Sequence, residues 1–299
     1  SVRACPISRC RPAPLWGGEE GGEPALSDLG ARWGVPPRTP AAAGGCAGAS
    51  LAAGFSPLEL GSDIAGSIRI PSHWCGVCGH KPSYGLVSAL GQIPGMPGTL
   101  SQADIAVAGP MARDVDDLEM ALDVLVGADA WTQAAYSVSV PPARQTKVAD
   151  YRIAVWIDEE TAPISAEYRR LLLQAVAAFE EAGTLIDFEA RPDFSFEKAV
   201  DTFNRLLSAA EAGTWTLAEI EEQAASSEEP AGELGIRYAS IRHREWLSWH
   251  ERRMQQRKRW RDFFDRFDLV ILPVSLTEAI PHDHSTPFSQ RSIRVDGQQ

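Results

Sequence analysis

The second half of the chain carries the clearest alternation of apolar and polar positions. Tyr151 to Ile157 is a short, nearly uninterrupted apolar run, which is the pattern of a buried strand. From Ser165 to Gly183, apolar residues recur every three or four positions, which predicts a helix with a serine cap and a glycine stop. Thr184 to Phe188 is a second strand-like run. This succession predicts a βαβ unit and a largely parallel sheet.

Further helical patterns lie on both sides of this unit. Asp114 precedes an apolar stripe that stops at Gly127, and residues 196–212 and 217–225 have helical spacing. Residues 241–267 combine aromatic residues at three- and four-residue spacing with interleaved arginines. Arginine beside aromatic residues also occurs on nucleic-acid surfaces, but this spacing favours an amphipathic helix with one buried aromatic stripe and a cationic outer face. Residues 268–273 predict one more buried strand.

The first part of the chain has no such period. Prolines alternate with glycine pairs through residues 1–37, so we predict an irregular segment there. From Leu58 the glycines predict a loop that ends at Pro71, and Gly and Pro stay dense through Gly98. That density in a compact protein indicates a shaped site more often than slack chain.

The composition is that of a globular chain with an acidic surface. Of 299 residues, 44% are hydrophobic and 23% are charged, and the net charge is −12, which opposes binding to nucleic-acid phosphates or to an anionic membrane surface. No apolar run approaches the roughly 20 residues that span a bilayer, and the arginine-containing start lacks the apolar stretch of a secretory signal. Five cysteines are scattered through the chain, so we expect reduced thiols and a cytoplasmic location.

The segment from Gly61 to Pro71 carries a candidate nucleophile. Ser67 follows small residues, which lets a substrate carbonyl approach it closely, and the backbone N–H groups of a tight glycine-containing turn can converge on one anion. This arrangement suits attack on a carbonyl and stabilisation of the resulting oxyanion. A serine near glycines also fits a plain structural turn, which the local pattern by itself favours.

A longer stretch around Ser67 resembles a known family. The run from Phe55 to Gly85, FSPLELGSDIAGSIRIPSHWCGVCGHKPSYG, closely resembles the signature of the amidase-signature family. The similarity continues at Val107–Arg113, Asp116–Leu118, Trp260, Phe263–Phe264, Asp268–Pro273 and Pro281–Asp283. It covers most of residues 38–297 and is stronger toward bacterial amidases and nylon-oligomer hydrolases than toward the amidotransferase component of the same family.

The resemblance implies an α/β fold with a mixed, twisted β-sheet flanked by α-helices. It also implies hydrolysis of amide carbon–nitrogen bonds by a Ser–Ser–Lys triad through an acyl-enzyme. Ser67 would be the nucleophile, and Asp63 and Arg69 would brace its loop. Four backbone N–H groups would form the oxyanion hole: those of Ile64, Ala65, Gly66 and Ser67. Ala65 replaces a usual glycine, which requires a negative φ at that position. The resemblance also implies that no cofactor is needed and that the substrate is a small-molecule amide.

The sequence departs from the family pattern at the other two triad positions. The bridging serine belongs to a Gly-Gly-Ser-Ser-Gly-Gly stretch about two dozen residues before the nucleophile, and counting back from Ser67 reaches Ala43. Arg38-Thr-Pro40 fits the residues that lead into this stretch. The lysine would lie upstream of Ser1, and no lysine precedes Lys81. We therefore expect impaired or absent catalysis in this chain.

A zinc site is a weaker alternative at His73, Cys75, Cys78 and His80. Two cysteines and two histidines can bind zinc in a tetrahedral site. However, only one Cys-x-x-Cys occurs and the spacing is too close for paired knuckles, so we expect no metal. A Ser67–His–Asp triad through His80 or His282 is open on the residues alone, and the resemblance gives it no support.

The sequence thus predicts two parts. We expect residues 1–37 to be an irregular, aberrant N-terminal segment and residues 38–299 to be a partial amidase-signature domain that is truncated at both ends. The alternatives are a non-catalytic remnant and an A-subunit-like component of a tRNA-dependent amidotransferase. We expect no nucleic-acid or membrane partner, and a homodimer is compatible with the sequence.

Overall fold

The computed structural model describes residues 44–91, 100–212, 216–226, 238–281 and 292–297. The segment predicted for residues 1–37, the bridging position Ala43 and His282 lie outside these ranges. The chain divides into two units, which we describe separately. One contains Ser1–Pro94, Val107–Val138 and Glu278–Gln299, and the other contains Gly95–Ala106 and Ser139–Thr277.

The described residues contain seven α-helices and six β-strands. In order, they are α1 (Gly45–Ala52), β1 (Leu58–Asp63), α2 (Arg69–Cys75), β2 (Cys78–Gly79), β3 (Val107–Ala112), α3 (Val115–Leu125), β4 (Arg152–Val155), α4 (Ala166–Glu181), β5 (Leu185–Asp187), α5 (Phe196–Glu211), α6 (Leu217–Ser226), α7 (His243–Phe264) and β6 (Leu269–Ile271). This mixed α/β content confirms the predicted fold class. The strands form two three-stranded sheets.

The first unit contains an antiparallel sheet of order β1-β3-β2. Its core consists of three fully buried residues: Leu51 of α1, Ile68 just before α2, and Met111 of β3. Gly61 of β1 suits this packing, because a Cβ there would lie 3.0 Å from Ile68 Cγ1 and 3.1 Å from Met111 Sδ, closer than most Cβ contacts. The missing side chain lets the strand approach the core closely.

The loop predicted from Leu58 to Pro71 was therefore largely wrong. The segment forms a strand, a turn and the first part of helix α2. Its glycine content, which predicted a loop, serves close packing in a sheet. The proline is tolerated because it is the third residue of α2, where its missing N–H leaves no intrahelical bond unmade. The helix ends at Gly76, which has φ +68 and forms a left-handed cap.

Helix α1 was also absent from the sequence prediction. It consists of small residues and shows little amphipathic pattern, but it packs closely on α2 because Gly48 carries no side chain. A Cβ on Gly48 would lie 3.2 Å from Cys75 Sγ and from the carbonyl oxygen of Pro71. The Arg113 guanidinium donates hydrogen bonds to the carbonyl oxygens of Leu51 and Ser56, which ties the C-terminal end of α1 to β3.

The second unit contains a parallel sheet of order β5-β4-β6. The central strand β4 is buried, and α4 connects it to β5, so the predicted βαβ unit is confirmed. Ser165 caps α4 as predicted, its hydroxyl accepting the Tyr168 N–H at 3.1 Å. The last strand was predicted to be buried, but Leu269 is 44% exposed because β6 is an edge strand of this sheet.

Helix α7 confirms the predicted buried aromatic stripe at its C-terminal end only. Its C-terminal aromatics pack together on the sheet, where Phe263 and Phe267 join Ala154 of β4 in one buried cluster. Trp246 and Trp249 differ from the prediction of a single buried stripe. Trp246 stacks on a histidine ring of the same helix at 4.9 Å, and Trp249 lies 4.2 Å from the guanidinium of Arg205.

Within the residues that the structure describes, no helix is both long enough and apolar enough to cross a lipid bilayer. The longest of them, α7, has 22 residues, and it alternates basic with aromatic side chains.

We predict that Phe263→Ala lowers the free energy of unfolding of the second unit by about 3–5 kcal/mol, because the ring is 2% exposed and its removal leaves a cavity. Urea titration followed by circular dichroism measures this change. Met254→Ala on the same helix is the control, since Met254 is 41% exposed and should cost less than about 1 kcal/mol. Equal unfolding midpoints for the two variants would contradict the assigned core.

Candidate functional site

Ser67 lies in the turn between β1 and α2, two residues before the helix begins. Ser67 is half-buried. The start of α1 lies directly against it, because a Cβ on Gly44 would overlap the Ser67 carbonyl oxygen. Gly44 immediately follows Ala43, so the chain next to the predicted bridging position lies at Ser67. Sequence reasoning did not single out Gly44, although the pair Gly44-Gly45 was a signal for such a close approach.

Asp63, the last residue of β1, organises this turn. Its side chain is 1% exposed, and Oδ1 accepts the Gly66 N–H at 2.8 Å. Oδ2 accepts the N–H groups of Ile68 and Arg69 at 3.2 and 3.3 Å. The Arg69 guanidinium completes the set with Nε at 3.0 Å and Nη2 at 2.8 Å, a two-point pairing with the carboxylate. One carboxylate thus fixes the backbone on both sides of Ser67.

These contacts set the ionisation of Asp63. Burial by itself raises the pKa of this carboxyl, but the hydrogen bond and charge of Arg69, together with the N–H groups of Gly66 and Ile68, outweigh it. The pKa of Asp63 is therefore lower than its usual value of 3.8. The carboxylate is therefore charged at neutral pH. Both of its oxygens accept hydrogen bonds, from backbone N–H groups and from the Arg69 guanidinium.

The remaining backbone of the turn is shaped by Gly66. Its φ is +109, a conformation that favours glycine, and a Cβ would lie 2.6 Å from Ile70 Cδ1, so the Ile70 side chain would have to move. Its N–H is directed to Asp63 in this structure. No hydrogen bond within the described part of the chain engages the N–H groups of Ile64, Ala65 and Ser67. Among the described residues, Asp296 is the one non-glycine residue with positive φ, so Ala65 meets the requirement that its side chain imposes.

Two further titratable groups follow β2. The pKa of Lys81 lies below its usual value, first because of desolvation and then because of the positive charge of Arg69, while Asp63 opposes the shift. Lys81 Nζ donates to the Pro82 carbonyl oxygen at 3.3 Å. The pKa of His80 is also lowered, by burial first and then by the charge of Lys81. Lys81 is thus close enough to the Asp63–Arg69 pair for their charges to act on one another.

The candidate zinc residues occupy separate structural positions. Cys75 closes α2, Cys78 begins β2 with its Sγ 3.9 Å from the Arg113 carbonyl oxygen, and the His80 backbone N–H donates to Pro110. No group of three or more metal-ligating side chains occurs among the described residues. Burial raises the pKa of the Cys75 thiol to about 11, which disfavours the thiolate form that a metal would bind.

We predict that Asp63→Asn costs about 2 kcal/mol, since an amide loses the charge that pairs with Arg69, which is half exposed and partly screened by solvent. The wild-type contribution should be fully present above the usual Asp pKa and lost as pH falls through the lower folded value. Urea titrations across acidic pH measure both effects. Glu119→Gln, at an exposed position, is the control. Parallel pH profiles of D63N and wild type would contradict the assignment.

We predict that purified protein contains no stoichiometric zinc, because no three metal-ligating side chains come together among the described residues. Elemental analysis after dialysis measures the metal content. Near-equimolar zinc that disappears in Cys75→Ala would overturn this prediction.

Comparison with known proteins places the chain in a family. A family model described as Amidase matches residues 36–296. The A subunit of glutamyl-tRNA(Gln) amidotransferase from Thermus thermophilus is 38% identical over 152 residues, which cover 50% of this chain and 30% of the relative. Fatty-acid amide hydrolase 1 from Sus scrofa is 38% identical over 162 residues, which cover 50% of this chain and 26% of the relative. The match to each of these two relatives spans less than a third of its length.

Solved structures agree on the fold. A bacterial aryl acylamidase of the amidase-signature family superposes with a TM-score of 0.68 at 22% identity, covering 88% of this chain and 55% of the enzyme. The A subunit of the glutamyl-tRNA(Gln) amidotransferase from Thermotoga maritima gives a TM-score of 0.64 at 20% identity, covering 85% and 54%. With the family model spanning 36–296 of 299 residues, the chain belongs to the amidase family, as its sequence around Ser67 implies.

Proposed function

We propose that this chain is part of a hydrolase that cleaves the carbon–nitrogen bond of small-molecule amides through an acyl-enzyme on Ser67. The observation that carries the proposal is the turn itself. The buried carboxylate of Asp63 fixes the backbone before and after Ser67. Gly44 and Gly66 leave room where Ser67 and Ile70 lie against their backbones. Rigid positioning of a nucleophile on a turn next to a sheet suits attack on a bound carbonyl.

The same turn offers donors for the charge that develops during attack. When Ser67 Oγ bonds to the amide carbon, the carbonyl oxygen becomes an oxyanion, which preorganised backbone N–H groups stabilise. In this proposal, Ile64, Ala65 and Ser67 supply these groups. Gly66 contributes only if its N–H leaves Asp63, to which it now donates at 2.8 Å. Collapse of the tetrahedral species breaks the carbon–nitrogen bond, and water then hydrolyses the ester on Ser67.

Proton transfer is the weak point of the site. A neutral serine hydroxyl is a poor nucleophile, and a positioned base contributes about 10²–10⁴-fold. The bridging position is Ala43, and no lysine precedes Lys81 in the sequence. We infer that, among the given residues, no bridging serine or upstream lysine takes the proton from Ser67 or delivers one to the leaving amine, so the turnover of these residues is small.

Two rival functions have some support. A non-catalytic role fits the missing serine and lysine, and then Ser67 would be a structural turn residue. A role as an A-subunit-like component of a tRNA-dependent amidotransferase fits the 34% and 38% identity to components of that enzyme. The amidotransferase role requires stable partner proteins, so copurification of such partners from the native source would distinguish it from both alternatives.

The expected setting of the protein follows from its composition. Within the described residues, Cys75 and Cys78 form no disulfide, which suits the reducing cytoplasm. The net charge of −12 disfavours a nucleic-acid partner. We propose a small-molecule amide as the substrate. A homodimer is compatible with this composition.

We predict that the chain hydrolyses short aliphatic and aromatic amides only at a trace rate, and that Ser67→Ala changes this rate by less than about tenfold, because a site without a base gains little from its hydroxyl. Release of the amine product measures turnover. Ser83→Ala, an exposed serine of the same unit, is the matched control.

Robust turnover that Ser67→Ala abolishes and Ser83→Ala preserves would contradict the impaired site while supporting the nucleophile. In that case Lys81→Met and His80→Gln identify the replacement base. The lowered pKa of each group makes a neutral, proton-accepting form accessible below its usual pH range. Turnover that no Ser67 substitution affects would contradict the acyl-enzyme itself.

A further inference from the structure

One face of helix α4 holds it on the parallel sheet of the second unit. Tyr168 and Val176 of this face are buried, and Val176 packs against Val155 of β4. Helix α7 packs on the other side of the same sheet, because it contacts Ala154, and neighbouring residues of a strand point to opposite faces. The rest of α4 is therefore turned away from the sheet.

A shallow groove of about 440 Å³ follows a second side of α4. Its lining residues recur at three- and four-residue intervals, so they form one stripe along the helix. They are Ala166, Arg169, Arg170, Leu173, Gln174 and Ala177. Within the described residues, every lining side chain belongs to α4, so the groove has one wall. A groove of this kind suits a second helix better than a small ligand, which needs an enclosed pocket.

The charges along this stripe change sign from one end of α4 to the other. Arg169 and Arg170 lie in the first half of the helix, and Glu180 and Glu181 lie in its last turn. Arg170 pairs with Glu167 of the same helix, but its side chain is still 51% exposed.

The two carboxylates at the end of α4 are unfavourably placed. The helix dipole disfavours negative charge in a last turn, and α4 has no basic residue there. Among the residues that the structure describes, neither Glu180 nor Glu181 forms an ion pair. A cation supplied from outside the chain would therefore stabilise this end of the helix.

The charge order makes the stripe complementary to itself. When two such helices run antiparallel, the basic half of one faces the acidic end of the other. The register that places Leu173 against Ala177 of a second copy also places Arg170 against Glu180, because both pairs are centred on residue 175. A two-fold axis at this centre forms each contact twice. The small side chain of Ala177 lets the helices approach closely.

We propose that this stripe of α4 is a self-association surface, and that its partner is the same stripe of a second copy of this chain in antiparallel orientation. The 16 residues of α4 span about 24 Å. A contact of this length is at the small end of specific interfaces, so the dimer forms reversibly. The proposal is independent of whether Ser67 is active.

Sedimentation velocity of the whole chain over a range of concentrations tests the proposal. The buffer contains about 0.15 M salt, which largely screens the long-range repulsion between two chains of net charge −12. We expect a dimer whose fraction rises with protein concentration. Arg170→Glu or Glu180→Arg should each weaken it about tenfold or more, because each change turns two attractive contacts of the dimer into two repulsive ones.

Mixing these two variants shows whether the contact is between copies. In an equimolar mixture, the introduced carboxylate of one variant meets the introduced guanidinium of the other, and the natural Glu180 and Arg170 meet at the second contact. We therefore expect the mixture to dimerise about as strongly as wild type, although each variant by itself does not. The chain that carries both changes should recover as well.

Arg257→Glu is the matched control. It changes the net charge by the same amount as Arg170→Glu, and Arg257 is exposed on α7, which packs on the opposite face of the sheet. This variant should dimerise like wild type. Circular dichroism verifies that every variant keeps its helical content.

Three results would overturn the proposal. One is a chain that stays monomeric at every concentration tested. Another is a dimer that Arg170→Glu leaves unchanged or that Arg257→Glu weakens equally, which would assign the association to another surface or to net charge. The last is a mixture that associates no better than the separate variants. None of these readouts involves amide hydrolysis, so failure here is distinguishable from failure of the proposed function.

Discussion

The charge on Asp63 is the constraint on which the candidate site depends. This carboxylate ends β1 and accepts hydrogen bonds from the backbone on both sides of Ser67. A buried carboxylate is costly unless its acceptor sites are filled. Here the cost is offset because Arg69 pairs with it at two points and lies partly in solvent, where its own desolvation is small. The geometry of the turn is therefore a consequence of satisfying one buried charge.

A second buried carboxylate plays a comparable part in the other unit. Asp268, which precedes β6, accepts the Arg152 backbone N–H at 2.9 Å and pairs with the same residue's guanidinium. The hydrogen bonds and charge of Arg152 outweigh the effect of burial, so the pKa of Asp268 lies below its usual value. In both units, an aspartate at one terminus of a strand pairs with an arginine and accepts a backbone N–H group. The first aspartate shapes a turn, whereas the second sets the start of β4 against β6.

The two sheets also differ in which strands are exposed to solvent. The parallel sheet buries its central strand, because helices such as α4 and α7 pack against β4. The antiparallel sheet buries β3 but leaves Leu58 and Leu60 of β1 exposed.

The sequence by itself determined the elements that depend on local periodicity and on contiguous residues. The βαβ unit, the helix at residues 243–264 and the turn around Ser67 follow from spacing, capping and a motif that lies in one run of the chain. The tertiary structure decided what depends on distant residues. Leu58 pairs with Ala112, so β1 is a strand although its glycines predicted a loop. Gly48 lets α1 approach α2 although α1 has little amphipathic pattern. Which leucines stay exposed was likewise beyond the sequence, because burial is a property of the neighbours that the fold brings together.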